Sequence, residues 1–383
     1  MDESKSKSIG ARWILPVDQP PLRDASLTLQ AGVIRSVNPS GRTNADDDLG
    51  EVVLIPKFVN AHTHLEFSDL TQPIGQPGMP ITDWIPQVVA TRQRAARSPR
   101  EAVGDGIRQS RDSGTIAIGE IATSPWFHDF EFDNLVMTCF VERLGNQEHQ
   151  CESTIAEARQ WLSNVQGSCR TGISPHAPYS LHDDLFNGLV EWAVADNIPV
   201  AMHLAESREE LRWLADGSGP FRDMLESMNA LGEIPGHRRP MHYLDPLART
   251  SSALIVHGNY LSGDELDFIA RHDHLHLVYC PRTHEFFEHD PWPLNEAIGR
   301  GINVAIGTDS LASNPDLGVR GELVTIKSQF PGLDPAVILA MGTIQGAKAL
   351  GIEQRVGSLT AGKLAEYLVF PATNDDPWAS LFE

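Results

Sequence analysis

Six polar positions stand directly after short β-rich runs. His62 and His64 follow Phe58-Val59, His176 follows Ile173-Ser-Pro175, His203 follows Val200-Ala-Met202, His257 follows Leu254-Ile-Val256, and Asp309 follows Val304-Ala-Ile-Gly-Thr308. His62 and His64 are two residues apart, so on an extended backbone both side chains project to the same side. Two imidazoles facing one way can hold a metal. A third at His203 and a carboxylate at Asp309 complete a nitrogen/oxygen set that leaves a position for water and suits one divalent ion, Zn2+ or alternatively Fe2+. Glu206 lies three residues after His203, where a strand hands over to a helix; there it can satisfy the helix N-terminus or, beside a metal, shuttle a proton between water and substrate. Taken singly, each histidine also fits a hydrogen-bonded core position. Recurrence at the same end of five runs is what points to a shared site.

The elements that must position these residues are eight short β-rich runs, at 52–59, 115–121, 135–141, 171–174, 198–202, 253–256, 275–279 and 302–306, alternating with segments of helical character at 101–110, 154–165, 183–195, 208–214 and 263–271. This is the sequence form of a βα repeat and a parallel sheet, and eight strands close a (β/α)8 TIM barrel. Every candidate site residue then falls at the carboxyl end of a strand, the face that carries active sites in such barrels. Two connections, 65–100 and 216–250, are longer than a plain unit requires and are expected to shape the mouth. Both chain ends read as short strands broken by turns, which predicts a small β-sandwich-like domain from residues 1–56 and 355–383 around a barrel at 57–354.

Thirty Lys+Arg against 51 Asp+Glu give a net charge of −21, with 41% hydrophobic residues. A field of that sign repels phosphates, which argues against nucleic acid or an anionic membrane as partner and for a neutral or amine-bearing small-molecule substrate. The four cysteines form no CxxC pair or disulfide-dense framework, the opening segment has no apolar signal core, and no run approaches a membrane span. A cytoplasmic enzyme is the expectation, with homo-oligomerisation left open. The lysines are Lys5, Lys7, Lys57, Lys327, Lys348 and Lys363, so none lies between residues 58 and 326. Schiff-base chemistry inside the barrel is thereby excluded.

The segments PKFVNAHTHLEFS, SPHAPYS, HLAES, HGNYL, GTDSLAS and GSLTAGKLAEYLVF, in this order, resemble the amidohydrolase superfamily, and within it the deaminase/chlorohydrolase branch. The resemblance implies that His62, His64, His203 and Asp309 bind one metal ion, that Glu206, His257 and Asp309 carry the acid/base work, and that His176 contacts substrate. Two-metal relatives use a carboxylated lysine at the end of strand four, and the lysine gap therefore implies a mononuclear site. With an ion making ionised water available near neutral pH, His257 and Asp309 would orient that water and take its proton while Glu206 protonates the ring nitrogen.

The implied reaction is hydrolytic deamination of an amino-substituted N-heterocycle, with a nucleoside-like compound such as aminodeoxyfutalosine or an adenosine derivative as the specific expectation. The alternatives are a triazine-type chlorohydrolase or cyclic amide hydrolase with the same site, and a non-catalytic metal-binding barrel. Arg143, Trp84 and Glu66 are further candidates for substrate contact; their plainer roles are an ion pair, a packed aromatic and a turn cap. The segment Cys280-Pro-Arg-Thr-His284 departs from the branch, which carries Ser-Asn where Thr283-His284 stands, and it is expected to border the pocket.

Overall fold

A computed structural model describes residues 6–95, 97–132, 134–165, 169–232, 234 and 236–383; residues 1–5 of the opening segment, Ala96 of the 65–100 connection, and Glu233 and Pro235 of the 216–250 connection lie outside the described residues. Eight parallel strands, Phe58–Thr63, Thr115–Ala122, Val136–Arg143, Arg170–Pro175, Val200–Leu204, Ala253–His257, Leu275–Tyr279 and Val304–Ile306, pair with one another in chain order. They are buried along most of their length, which is why they read as apolar runs rather than as a strict alternation. One large apolar cluster joins strand residues such as Ile118, Val141, Met202 and Ile255 to helix residues such as Val103, Leu189, Leu266 and Leu323. The helices are sealed onto the sheet by burial of this kind.

The first and last strands meet at the end of the barrel that carries the site. Thr63 bridges Asp309, and the His62 carbonyl accepts from the N–H groups of Thr308 at 3.0 Å and Asp309 at 3.1 Å. Buried Asn60 donates to the Thr308 hydroxyl at 2.7 Å and accepts the Thr308 N–H at 3.1 Å. A Cβ on Gly307 would stand 2.8 Å from His62 Cβ, so glycine is what lets the last strand come this close.

The run at 52–59 is two strands and not one. Val52–Pro56 pairs with Tyr367–Pro371 and with Lys7–Ile14, whereas Phe58–Thr63 opens the barrel. Pro56 has no N–H to continue a ladder, and the chain passes from one sheet to the other through Lys57. Val52–Pro56 belongs to a six-stranded sheet built from both chain ends, with strands Lys7–Ile14, Leu22–Gln30, Val33–Asn38, Asp47–Asp48 and Tyr367–Pro371. Ile9, Ile14, Leu27, Ile34, Leu54 and Leu359 form its own buried cluster.

The connection at 65–100 contains the turn Leu65–Phe67 and the helix Ile81–Arg94, and the one at 216–250 contains the helices Pro220–Ser227 and Met241–Leu247. Helices Pro99–Asp112 and Gly263–Ile269 start with Ser/Glu capping boxes. Among the described residues no helix is long and apolar enough to cross a membrane.

Candidate active site

His62, His203 and His257 lie inside their strands, and His64 and Asp309 lie just beyond theirs. Ala205, His257 and Asp309 have φ of +54°, +67° and +54°, a left-handed backbone that costs non-glycine residues about 1–3 kcal/mol and persists only where neighbours over-determine it. The bonds doing so are visible. The buried Glu210 carboxylate accepts the Ala205 N–H at 2.8 Å and the Glu206 N–H at 2.9 Å, the Leu204 carbonyl accepts Gly258 N–H, and the His62 carbonyl accepts Asp309 N–H. On the other side of the site, both oxygens of buried Glu120 accept the Leu65 N–H, at 3.1 and 2.9 Å, directly behind His64.

These turns bring the side chains together. The Nε2 atoms of His64 and His203 are 3.3 Å apart, and Asp309 Oδ1 lies 3.7 Å from His62 Nε2 and 3.6 Å from His64 Nε2. His62, His203 and His257 also converge, each offering a ring nitrogen within 4.8 Å of the others. His62 is 1% exposed and neither of its ring nitrogens has a hydrogen-bond partner among the described residues, an arrangement that is costly unless a further group satisfies it. His203 Nδ1 lies 3.1 Å from the His176 carbonyl. That oxygen can only accept, so Nδ1 carries the proton and Nε2 keeps its lone pair. Burial lowers His62, His64 and His257 well below the usual imidazole range and His203 and His176 to about 4. Neutral imidazoles beside one carboxylate fit a divalent first-row ion.

Glu206 has the opposite tendency. Burial first, then the charges of Asp309 and Glu210, push its carboxyl well above the usual range. Its Oε1 is 3.4 Å from His257 Nε2, and Asn259 fixes its backbone by donating to the Glu206 carbonyl at 2.9 Å. His64, His203, Glu206, His257 and Asp309 line a cavity of about 270 Å³ whose wall includes His176, Glu142, Phe67, Trp84, Ile85, Val88 and Leu144. Trp84 stands edge-on to Phe287 and directs its indole N–H at the Ala312 carbonyl, 3.4 Å away.

Three expectations need correction. Arg143 does not line the cavity: its guanidinium lies 3.8 Å from the centre of the Trp161 ring and donates to the Glu142 carbonyl at 2.8 Å. Alternation along Val136–Arg143 turns its neighbour Glu142 inward instead. Glu66 does not line it either, because its carboxylate accepts from the N–H groups and hydroxyls of Thr123 and Ser124 and pairs with Arg92. Arg92 is the residue of that pair that reaches the cavity. The Thr283-His284 segment forms the helix Pro281–Phe286 behind the site: Thr283 bonds Ser313, which donates to Asp309 Oδ2 at 3.0 Å, and His284 bonds the Asp290 carbonyl. Reading the sequence also missed Glu120 and Glu210. The pattern Ser207-x-x-Glu210 signals a helix start, but not that Glu210 reaches back to Ala205 and Glu206.

The fold and the convergent histidine/aspartate set define a metal-type hydrolase barrel, and residues 53–382 match the amidohydrolase family. The chain belongs to that family and is a hydrolase of carbon–nitrogen bonds other than peptide bonds. It is 29% identical over 323 residues to an aminodeoxyfutalosine deaminase of Deinococcus radiodurans, covering 80% of this chain and 76% of the relative. It is 26% identical to a 5-methylthioadenosine/S-adenosylhomocysteine deaminase of Teredinibacter turnerae, covering 96% and 85%. Its fold resembles the crystal structure of Helicobacter pylori aminofutalosine deaminase in complex with methylthio-coformycin, with a TM-score of 0.84, 21% identity and coverage of 98% and 95%.

Proposed function

We propose that the chain is a metal-dependent nucleoside deaminase. It replaces the exocyclic amino group of an aminated purine, carried on a nucleoside such as aminodeoxyfutalosine or an adenosine derivative, with oxygen from water and releases ammonia. The observation that carries this reading is the buried Glu206 carboxyl, 3.4 Å from His257, at the edge of a convergent His62/His64/His203/Asp309 set. Relatives with deaminase activity at 26–29% identity support the leaving group.

His62, His64, His203 and Asp309 would hold one ion, and three imidazoles with one carboxylate favour Zn2+. Bound there, a divalent ion would supply the acidity that makes water nucleophilic near neutral pH. Glu206 gives its proton to the ring nitrogen beside the carbon under attack. His257 and Asp309 orient the water and take one of its protons, which goes on to the departing amine, and the proton left on the new hydroxyl returns to Glu206; substrate and water thus become the oxo product and ammonia. His176 and the apolar wall at Phe67, Trp84 and Ile85 hold the ring and keep bulk water out. The same reading takes residues 57–354 as the catalytic barrel and residues 1–56 with 355–383 as the small β unit. Free cysteines at 139, 151, 169 and 280 support a cytoplasmic setting.

The test is ammonia release by the zinc-loaded protein from adenine, adenosine, 5′-substituted adenosines, aminodeoxyfutalosine and chlorotriazines. Ammonia from nucleosides, one per turnover, is expected. Chloride release or ring opening without ammonia would replace this reading with the other hydrolase, and bound metal without turnover would leave a binding barrel.

A further inference from the structure

The helix Pro281–Phe286 reaches the site through Thr283. Its hydroxyl lies 2.9 Å from the hydroxyl of Ser313, which in turn lies 3.0 Å from Asp309 Oδ2. Thr283 and Ser313 are both 1% exposed, so no bulk water competes for these bonds. Hydrogen count fixes their directions. As a metal ligand Asp309 is a carboxylate, whose oxygens bring no hydrogen, so the single Ser313 hydroxyl hydrogen goes to Asp309. The contact between the two hydroxyls then forms only if Thr283 donates and Ser313 accepts. Asp309 Oδ2 is thus held by Ser313, and Ser313 is held in that orientation by Thr283.

The other oxygen, Oδ1, is the one that faces His62 Nε2 and His64 Nε2, at 3.7 and 3.6 Å. A carboxylate with both oxygens free can turn about its last bond and offer either or both to an ion. With Oδ2 occupied, Asp309 offers one.

A second set of bonds fixes the distance between the two hydroxyls. Next to Thr283, Arg282 pairs with the buried Glu322 at 2.7 Å, and Glu322 accepts from Asn314 at 2.7 Å. The same Asn314 amide donates to the Thr308 carbonyl at 2.6 Å. Arg282, Glu322 and Asn314 thereby lock the helix to the segment 308–314 that carries both Asp309 and Ser313. Resting on the metal set proposed above, we propose that Thr283 and Ser313 are positioning residues: a chain of two hydroxyls that keeps Asp309 a one-oxygen ligand aimed toward His62 and His64, and so sets the affinity for the ion and the rate of the step that Asp309 assists.

The test measures the apparent Kd for Zn2+ and Co2+ by chelator competition, the visible spectrum of the Co2+ form, and kcat and KM on an adenosine-type nucleoside. It compares wild type, Thr283→Val, Thr283→Ser, Ser313→Ala and the double variant Thr283→Val/Ser313→Ala, with Tm recorded for each metal-free protein. Ser313→Ala is expected to weaken ion binding by up to about 100-fold and Thr283→Val by about tenfold, the span typical of groups that hold a metal ligand in place. Both should shift the Co2+ spectrum and lower kcat at unchanged KM, and Thr283→Ser, which keeps the hydroxyl, should bind as wild type does. Because Thr283 acts through Ser313, the double variant should bind no more weakly than Ser313→Ala. Wild-type affinity and spectrum in Thr283→Val, an equal loss in Thr283→Ser, or losses that add in the double variant would overturn the positioning role and leave the metal site standing. If Thr283→Val does not fold, Ser313→Ala decides alone, with wild-type affinity overturning the role. A wild type that binds no divalent ion would overturn both.

Discussion

At the floor of the cavity, His62, His203 and His257 are parts of barrel strands whose ends are pinned by backbone bonds and by two buried carboxylates, Glu120 behind His64 and Glu210 behind Glu206. At the outer wall, Trp84 and Ile85 come from the helix Ile81–Arg94, which lacks a side-chain N-cap and has Pro86 inside it. That helix is tied to the barrel by Trp84 at the Ala312 carbonyl and by Arg92 at Glu66 and Thr123. The floor is held by backbone bonds at the strand ends, whereas the wall is held by side-chain contacts, with Ile81 buried beside Ala177, Tyr179, Trp213 and Phe221 and with Trp84 and Ile85 packed against that cluster. The strands thus carry the convergent polar side chains and the connections supply the outer wall of the cavity, an arrangement that a (β/α)8 barrel permits.

Variants on the two sides should separate accordingly. The largest effect is expected from His64→Ala and His203→Ala, which remove members of the proposed metal set: bound divalent ion should be lost and turnover should fall by more than about 10³-fold, checked by metal analysis alongside kinetics. Next comes Glu210→Ala, which strips the Ala205 and Glu206 N–H groups of their acceptor. It should lower kcat about 10- to 100-fold at unchanged KM and cost about 1–3 kcal/mol in denaturant melts; a normal kcat would mean that the left-handed turn at Ala205 holds without it. On the wall, Trp84→Ala should raise KM about tenfold while kcat stays within a few-fold, and a kcat collapse there would erase the distinction between wall and floor. The smallest effect on catalysis is expected from Arg143→Ala: kcat/KM within about twofold, with stability lower by about 1–2 kcal/mol from loss of its contact with Trp161.

The same contrast explains what could be read from the chain. The eight runs and the histidines at their ends are local features, since a strand and the residue that leaves it are adjacent in sequence, so the barrel and the membership of the floor were legible. Contacts between residues far apart in sequence were not. Glu120 lies 55 residues from Leu65, and nothing near it announces the bond. Two acidic or basic residues in a row, as at Glu142-Arg143, give no indication of which faces inward until the register of the strand is known. Glu66, two residues after His64, carries no local sign that the turn Leu65–Phe67 directs it to Thr123 and Ser124. The division at Pro56 was hidden because apolar residues continue across it from one sheet into the next.

Glu206 is proposed to carry protons beside the metal set without belonging to it. Ammonia release from an adenosine-type nucleoside by Glu206→Gln, with divalent-ion content measured on the same sample, tests it most directly. A wild-type complement of metal is expected, with a turnover lower by about 10²- to 10⁴-fold. Metal retained with near-normal turnover would contradict it.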